Sequence, residues 1–223
     1  EIYTLSLHDA LPIFGRRPYH SGTSKTEEVN RMFDRIAPGY DKLNGALSLG
    51  IDAYWRKEAL KILKKYPHRH ILDIATGTGD FALLAARMLH PKNIVAIDIS
   101  EGMMQVGREK VRANGYEKVI RFERQDCAAL NFPDNSFDAV TAAFGVRNFE
   151  AIDRSFREVL RVLKPGGLFL FLELTTPEKT PFKQLYSLYS RFVMPVISDR
   201  LATEKRAYHY LPKIGRASCR ERV

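Results

Sequence analysis

Residues 71–80, ILDIATGTGD, have the pattern of a buried strand that runs into a glycine turn and then opens a helix. The backbone N–H groups of such a turn and of the first helical residues converge on one ligand. Dinucleotides, phosphate groups and S-adenosylmethionine (SAM) are all bound in this way, so these residues alone do not choose among them. The stretch has no Lys followed by Ser or Thr, which argues against a P-loop and phosphoryl transfer.

Apolar runs and helical patterns alternate along the rest of the chain. Because the strand-like runs are continuously apolar and are separated by helices, they indicate a parallel sheet that is covered on both faces. The sequence therefore predicts one doubly wound, Rossmann-like α/β domain. The strands are expected at residues 71–74, 94–97, 119–123, 137–143 and 168–174, and the helices between them at 81–89, 102–114 and 151–163.

Two further helices are predicted before the sheet, where they can cover a pocket. Ser24 with Glu27 three residues later forms a capping box, and the helix that it opens ends at the Pro-Gly pair of residues 38–39. The second helix is expected to begin at Asp52 as its N-cap and to stop before Pro67. The predicted buried residues are Val29, Met32, Phe33 and Ile36 in the first helix and Trp55, Ala59, Ile62, Leu63 and Tyr66 in the second.

The two ends of the chain are expected to be foreign to this domain. Residues 1–13, EIYTLSLHDALPI, and residues 214–223, IGRASCRERV, resemble translations of the two strands of one sequencing-library adapter. We therefore predict a domain over residues 14–213. It comprises an N-terminal helical lid (14–69), a nucleotide-binding core (70–174) and a helical insert (175–213).

The composition narrows the functional classes. The 223 residues carry a formal net charge of +9, which suits an anionic surface, although basic soluble enzymes are commoner. No stacking module or lysine stripe is visible, so nucleic acid is not expected as a partner, and no set of metal ligands is predicted. Only Cys127 of the two cysteines lies within residues 14–213, which indicates a reducing compartment, the cytoplasm. No apolar run approaches the roughly 18 residues that cross a bilayer.

One residue of the second predicted strand distinguishes among the candidate ligands. Asp98 ends this strand about 20 residues after the glycine turn, where a carboxylate takes both hydroxyls of a ribose and repels a 2′-phosphate. A dinucleotide turn would have a third glycine at the position of Ala82, and Asp80 would face its diphosphate. The sulfonium cation of SAM instead suits carboxylates such as Asp73 and Asp80. We therefore predict SAM as the cofactor, while Asp80 equally fits the ordinary preference for acids at a helix N-terminus.

Asp126 follows the third predicted strand, at the sheet edge beside which an adenine would stack. Its carboxylate can accept a hydrogen bond from the exocyclic amine of adenine. An aspartate directly after a strand is also a common turn or cap residue, and this alternative stays open.

Six stretches carry a family resemblance: MFDRIAPGYDKLNGALSLGIDAYWRK, LDIATGTGD, DISEGMMQVGREK, FPDNSFDAVTAAFGVRN, REVLRVLKPGG and YSLYSRFVMPVIS. They resemble the class I SAM-dependent methyltransferases and, within these, the ubiquinone/menaquinone-biosynthesis C-methyltransferases. The first stretch and FGVRN are the most specific, and FGVRN resembles the demethylmenaquinone branch. The resemblance implies methyl transfer from SAM to a ring carbon of a polyprenylated demethylated quinol, demethylmenaquinol to menaquinol.

The same resemblance implies SAM contacts beyond the glycine turn. Members of the family can have Ser where Ala143 stands, so a hydroxyl contact at this position would be lost here. The side chain of Cys127 is interpreted as a small buried group that packs beside the adenine. Together with the residues of the strand and turn, the expected SAM-binding residues are Asp73, Gly77, Thr78, Gly79, Asp98, Asp126, Cys127 and Ala143.

Carbon methylation needs a nucleophilic ring carbon, which forms when a phenolic hydroxyl loses its proton. Arg147 and Asn148 follow the fourth strand and are expected to hold the developing phenolate, since an arginine stays cationic. The base is water or a carboxylate such as Asp41, and Tyr40 with Asp41 is expected to close over the substrate. The alternatives are that this Tyr-Asp loop merely packs, and that Arg147 and Asn148 serve a helix-start hydrogen bond near Phe149.

The helical insert contains FKQLYSLYSRFVMPVI at residues 182–197, which combines aromatic and basic residues. Tyr186 and Tyr189 are expected to line a pocket for the lipid tail or to rest at a membrane interface. An ordinary amphipathic helix that covers the sheet would have a similar sequence. The expected partner is a lipid-tailed quinol, with peripheral contact at the inner face of the membrane, and self-association as a homo-oligomer is left open.

Related methyltransferases complete the sheet with two strands after the helical insert, and the residues after Lys213 cannot supply them. We therefore expect a C-terminally truncated sheet in a poorly soluble or weakly active chain. Two alternatives to quinol methylation stay open. One is a SAM-binding fragment of this fold without catalytic activity, and the other is a methyltransferase for another small molecule.

Overall fold

The computed structural model describes residues 22–173, 180–193 and 196–197. Its centre is a sheet of five parallel strands in the order β3-β2-β1-β4-β5. This architecture confirms the predicted doubly wound α/β domain. The strands are β1 (His70–Ile74), β2 (Asn93–Asp98), β3 (Ile120–Arg124), β4 (Phe137–Ala143) and β5 (Leu163–Leu172).

Helices precede the sheet and connect its strands. The three helices that lie between strands, α4, α5 and α6, begin and end within one residue of their predicted bounds. In the described part of the chain the helices are α1 (Lys25–Ile36), α2 (Tyr40–Ser48), α3 (Ile51–Leu63), α4 (Asp80–Leu89), α5 (Glu101–Ala113), α6 (Ile152–Val162) and α7 (Phe182–Leu188), and π-helical turns continue α7 over Tyr189–Val193. None of them is long and apolar enough to cross a membrane.

The core lies on both faces of the sheet. Ile71 of β1 packs on one face against Leu60 of α3 and Phe81 of α4, while its neighbour Leu72 belongs to the opposite face with Val159 of α6. Because both faces are covered, successive strand residues are buried, and the strands read as continuous apolar runs rather than as alternating ones.

The N-terminal lid contains one helix that the sequence did not predict. The capping interaction at the start of α1 is confirmed, since the backbone N–H of Glu27 donates to Oγ of Ser24 at 3.2 Å. The chain then passes through a 3-10 turn (Ala37–Gly39) directly into α2, so the predicted loop is wrong. Leu43 is the only buried residue of α2, and a helix with one buried side chain has no readable amphipathic pattern.

The predicted buried face of the second lid helix is also wrong in part. Helix α3 begins after Gly50, which has a φ of 78°, and Asp52 is not its N-cap. Trp55, Ile62 and Tyr66 are 40%, 52% and 44% exposed. The apolar residues form a broad stripe on the helix, and their spacing alone does not tell which part of it meets the sheet. The part that does so carries Ala59, Leu60 and Leu63.

Strand β5 begins at Leu163 rather than at residue 168. Its first residues, LKPGG, join the sheet through a register shift against β4 between Phe137 and Ala139. A glycine is needed at this shift, because a Cβ at Gly167 would lie 2.8 Å from the backbone oxygen of Asp138. The expected strand end at 174, most of the insert over 175–213 and the expected adapter tails lie outside the described residues. These boundaries, and the expected loss of two strands, stay predictions.

Candidate functional site

A cavity of about 300 Å³ opens at the carboxyl ends of the strands, where β1 has β2 on one side and β4 on the other. Ligands of open α/β sheets bind at this kind of switch point. The volume is at the lower end of the range of small-molecule sites. Nine predicted site residues line it: Tyr40, Asp73, Gly77, Thr78, Asp98, Asp126, Cys127, Ala143 and Asn148.

The floor of the cavity contains strained backbone. Ala75 and Phe144 follow β1 and β4, and both adopt left-handed φ values, 50° and 62°. Non-glycine residues in this region cost energy and concentrate at functional sites. The two loops also meet closely, because a Cβ on Gly145 would come within 2.5 Å of the Cβ of Ala75. The fold thus holds the ends of two neighbouring strands in contact under the ligand position.

Asp98 fixes the glycine turn. Its Oδ2 accepts a hydrogen bond of 2.8 Å from the backbone N–H of Gly77, and its Oδ1 accepts one of 2.9 Å from Ser100. Burial raises the pKa of Asp98, and the backbone N–H donors act in the opposite direction. A carboxylate offers about four acceptor sites, so acceptor capacity is left for a ligand.

Asp73 lies deeper in the cavity wall and is 1% exposed. It accepts hydrogen bonds from the hydroxyls of Thr76 at 2.5 Å and Thr141 at 2.6 Å. Burial raises the pKa of Asp73 to about 6 against the effect of these donors. A positive charge in the cavity would stabilise its ionised form.

The two residues after β3 have different roles. Oδ1 of Asp126 accepts from the backbone N–H of Ala128 at 2.9 Å, which is the turn contact that the sequence left open as an alternative. The residue lines the cavity at the same time. Cys127 is 6% exposed, and burial raises the pKa of its thiol to about 12, so the thiol is neutral. This confirms that the Cys127 side chain is a small buried packing group.

Gly79 packs against a neighbouring side chain and does not line the cavity. It precedes α4 with a φ of 76°, and a Cβ there would lie 2.8 Å from Cζ of Phe122. The residue is not among those that line the cavity. Its expected contact with SAM is therefore not supported by the geometry.

Tyr40 begins α2 and packs edge to face on Phe33, with the ring centroids 6.0 Å apart. Burial raises the pKa of its hydroxyl, while a hydrogen bond with Asn44 and the positive charges of Arg147 and Arg56 lower it. The hydroxyl therefore lies in a cationic corner of the cavity and stays protonated at neutral pH. The expectation of a loop at this residue is corrected to a helix N-terminus.

Arg147 and Asn148 lie in a 3-10 turn (Val146–Asn148) after β4. Nη1 of Arg147 is 3.7 Å from Oε2 of Glu173, and its Nε is buried without a hydrogen-bond partner among the described residues. Oδ1 of Asn148 is buried in the same way and the residue lines the cavity. The N-terminus of α6 has no side-chain cap, so neither residue serves the alternative role at a helix start.

Asp41 is not among the residues that line the cavity, so the geometry does not support its expected role as a base. Its Oδ1 accepts from the hydroxyl of Thr78 at 2.6 Å, and its Oδ2 is 2.7 Å from Nζ of Lys110. Nζ of Lys110 also pairs with Asp80. The carboxylate of Asp80 is thus neutralised by a lysine, in keeping with the ordinary preference for acids at a helix N-terminus. Lys110 ends the stretch DISEGMMQVGREK, one of those that carry the family resemblance, but the sequence analysis gave it no role.

Neither Tyr186 nor Tyr189 lines the cavity. The hydroxyl of Tyr189 donates to the backbone oxygen of Leu47 at 2.5 Å, which attaches this segment to α2. Leu185 and Phe192 of the same segment are 66% and 60% exposed, so it does not pack as an ordinary helix that covers the sheet. A role of the two tyrosines toward a lipid tail stays a prediction.

Arg56 lines the cavity but was not among the predicted site residues. It lies on α3 with its guanidinium 5.2 Å from the ring centroid of Phe144, and it pairs with Asp52. Its Nε is buried without a hydrogen-bond partner among the described residues. The signal was available, because Arg56 precedes the buried Leu60 by four residues and therefore lies on the same side of α3. Within the described part of the chain, no group of His, Cys, Asp or Glu side chains could hold a metal ion.

Comparisons with known proteins identify relatives of this chain. A sequence model of the ubiE/COQ5 methyltransferase family matches residues 21–219. The chain is 51% identical over 201 residues to a Bacteroides fragilis protein named demethylmenaquinone methyltransferase, which covers 90% of this chain and 82% of the relative. It is 47% identical over 191 residues to a Geobacter sulfurreducens protein named ubiquinone/menaquinone biosynthesis C-methyltransferase UbiE, covering 85% of this chain and 74% of the relative.

Solved structures share the architecture. The [4+2]-cyclase SpnF superposes with a TM-score of 0.64 at 24% identity, covering 85% of this chain and 86% of that chain. At this level of identity the likeness concerns the fold alone.

Proposed function

The chain belongs to the ubiE/COQ5 methyltransferase family, and we propose that it transfers a methyl group from SAM to a ring carbon of a polyprenylated demethylated quinol, converting demethylmenaquinol to menaquinol. The observation that carries the proposal is the carboxylate of Asp98, which ends β2 at the switch point of the sheet and holds the glycine turn by the N–H of Gly77. This is the place and the chemistry at which the ribose of a nucleoside cofactor binds.

The side chains that line the cavity suit the separate parts of SAM. Asp98 would hold the ribose hydroxyls, and the small residues Cys127 and Ala143 leave room beside them for a flat base. The buried carboxylate of Asp73 would balance the positive sulfur. Arg56 would hold the methionine carboxylate, because its buried Nε has no partner among the described residues. When bound, SAM supplies an electrophilic methyl group on its sulfonium.

Tyr40, Arg147 and Asn148 would form the acceptor end of the site: Tyr40 and Asn148 line the cavity, and Arg147 precedes Asn148 in the same 3-10 turn without lining it. The ring carbon becomes nucleophilic when the neighbouring hydroxyl loses its proton, so negative charge develops on that oxygen. Arg147 is permanently cationic and its charge acts on the Tyr40 hydroxyl, so it would also stabilise the phenolate. Oδ1 of Asn148, which has no hydrogen-bond partner among the described residues, would accept from a second hydroxyl of the ring. Water would take the hydroxyl proton, SAM would supply its methyl group to the ring carbon with cleavage of the methyl–sulfur bond, and the proton displaced from that carbon would also pass to water.

Because the acceptor has a lipid tail, we also propose that the protein makes peripheral contact with the cytoplasmic face of a membrane. Leu185, Leu188 and Phe192 are 66%, 58% and 60% exposed, and Arg191 lies within the same segment. Exposed apolar side chains beside a basic one suit the interface of an anionic bilayer. The net charge of +9 acts in the same direction.

Two measurements test the reaction. Calorimetric titration should give a saturable SAM site that NADH does not compete for. Transfer of a labelled methyl group from SAM to a short-tailed demethylmenaquinol should then be observed, and a short-tailed demethylated benzoquinol serves as the second acceptor to show ring preference. SAM binding without transfer to either quinol would favour the binding-only alternative, and absence of SAM binding would overturn the proposal.

Membrane contact is tested by cosedimentation with anionic phospholipid vesicles. The double variant Leu188→Ser, Phe192→Ser should sediment less than the unchanged chain, because it loses exposed apolar surface in one segment. Leu160→Ser is the matched control, since Leu160 is 68% exposed but lies on α6. Equal loss in both variants, or none in either, would contradict contact through this segment.

A further inference from the structure

One lysine joins the lid to the glycine turn. Nζ of Lys110 on α5 lies 2.7 Å from Oδ2 of Asp41 on α2, donates to Oγ1 of Thr78 at 3.1 Å and pairs with Asp80 at the start of α4. The hydroxyl of Thr78 in turn donates to Oδ1 of Asp41 at 2.6 Å. These four residues form a closed network, named here the Lys110 clasp, that connects three separate elements.

The clasp lies directly behind the cavity wall. Thr78 and Asp80 line the cavity, whereas Asp41 and Lys110 do not. Asp41 is the neighbour of Tyr40, whose hydroxyl reaches the cationic corner of the site. A contact that fixes Asp41 therefore also fixes the first turn of α2 over the ligand position.

A second attachment holds the lid near the end of α1. Oδ1 of Asp34 on α1 accepts from the hydroxyl of Ser100 at 2.6 Å and from the N–H of Gly102 at 2.9 Å. This attachment needs no cation, because its donors are a hydroxyl and a backbone group at the start of α5. Of these two attachments to α5, the Lys110 clasp is the one that contains an ion pair, which salt can weaken.

We propose that Lys110 is a positioning residue that holds α2 closed over bound SAM. Without the lysine, two carboxylates from different elements would face each other and repel, and α2 would separate from the glycine turn. The ammonium group of Lys110 pairs with both carboxylates and so holds them together. The side chains of Lys110, Asp41 and Asp80 are 26%, 37% and 39% exposed, so water and ions reach the clasp and it can open for SAM to enter and leave.

The first test is SAM affinity. Lys110→Met should bind SAM about three- to tenfold more weakly than the unchanged chain at low salt, as expected for a partly exposed ionic network. Lys110→Arg should keep most of the affinity. Adding Asp80→Asn to Lys110→Met should recover part of the loss, because it removes the repulsion. Lys61→Met is the matched control, since Lys61 pairs with Glu58 on the exposed side of α3, away from the clasp, and this variant should bind SAM normally.

The second test needs no cofactor. In hydrogen exchange followed by mass spectrometry, amides of Tyr40–Ser48 should exchange faster in Lys110→Met than in the unchanged chain, while those of β1 and β4 stay the same. Added salt should produce the same change in the unchanged chain and little further change in the variant.

Two outcomes would overturn the proposal. One is unchanged SAM affinity together with unchanged exchange of α2 in Lys110→Met. The other is uniformly faster exchange across the sheet, which would make the lysine a general stabilising residue. Both tests are independent of the acceptor, so a failure of the quinol assay leaves the clasp standing, and a failure of the clasp leaves the methyltransferase activity standing.

Discussion

The carboxylate of Asp98 and the backbone N–H of Gly77 are joined by a hydrogen bond of 2.8 Å, so the end of β2 sets the shape of the turn that follows β1. The residue that is to bind the ribose therefore also builds the turn beside it. Ligand contact and local backbone conformation are coupled at one side chain.

Replacing Asp98 by Ala removes the acceptor for the N–H groups of Gly77 and Ser100 and for the ribose. We expect SAM affinity to fall more than about tenfold, because one hydrogen bond to a charged group contributes about 1.5–3 kcal/mol. Asp98→Asn keeps one acceptor oxygen and should lose less. Calorimetry with SAM measures both variants, and an unchanged affinity of Asp98→Ala would remove the basis of the assignment.

Replacing Arg56 by Met should weaken SAM binding about tenfold, because the methionine carboxylate would lose its cation. The ligand offers a matched experiment, since decarboxylated SAM lacks the same group. That analogue should bind the unchanged chain and Arg56→Met equally. Lys57→Met, at the exposed neighbouring position, should leave both affinities as they are. A variant that loses equal affinity for the two ligands would contradict the carboxylate contact.

The pKa of Asp73, raised to about 6 by burial from an ordinary value of 3.8, predicts a pH dependence of stability. Between these values the folded state holds more protons than the unfolded one. The contribution of this group is therefore full below about pH 4 and is lost as the pH rises through about 6. Asp73→Asn does not titrate, so its free energy of unfolding relative to the unchanged chain should rise over this window by at most about 3 kcal/mol. Urea unfolding at several pH values measures the difference, and a flat difference would disprove the shift.

Ionisation of Asp73 should raise SAM affinity, which is opposite to its effect on the stability of the fold. A cationic ligand favours the ionised carboxylate, so SAM affinity should increase as the pH rises through about 6. In Asp73→Asn this part of the pH profile should be absent. Calorimetric titrations of both proteins across the window provide the comparison.

Arg147→Met should lower kcat about 100-fold or more, because removal of a donor to a developing oxyanion has effects of this size. SAM affinity should be unchanged, since Arg147 is not among the residues that line the cavity. Arg157→Met, an exposed change on α6, is the control. A loss of SAM binding in Arg147→Met would place the arginine at the cofactor instead of the acceptor.

Gly79→Ala should destabilise the fold through both its φ of 76° and the 2.8 Å approach of a Cβ to Phe122. Gly115 has a φ of 73° with nothing within 4 Å of a Cβ, so Gly115→Ala isolates the backbone effect. We expect about 1 kcal/mol for Gly115→Ala and at least about 1 kcal/mol more for Gly79→Ala. Equal losses in urea unfolding would show that Phe122 moves aside freely.

The sheet and the helices between its strands could be predicted because both faces of a parallel sheet are covered, which leaves continuous apolar runs in the sequence. Much of the SAM-binding part of the cavity could also be predicted. The positions of Gly77 and Asp98 depend on the ends of β1 and β2, and the apolar pattern located both strand ends. Asp41 was misplaced because position after a Pro-Gly pair does not tell which way a carboxylate points. Its direction depends on Lys110, which is distant in sequence.

Helix α3 shows a different limit of sequence patterns. Its apolar residues form a broad stripe, and amphipathic spacing placed the exposed Trp55 and Ile62 in the buried face together with Ala59 and Leu63, which are buried as predicted. That error also hid Arg56, which lies one turn before the buried Leu60 and on the same side of the helix. A helix with a narrow apolar stripe would have been oriented correctly.

The exposed position of Trp55 has a practical consequence. It is the only tryptophan in the chain, and its neighbour Arg56 faces the cavity from the same helical turn. Its indole ring is 40% exposed, so its emission wavelength responds to changes in the surrounding solvent. The intrinsic fluorescence of the protein therefore reports on a single helix, and ligand binding at one side of α3 can be followed from the other without a label.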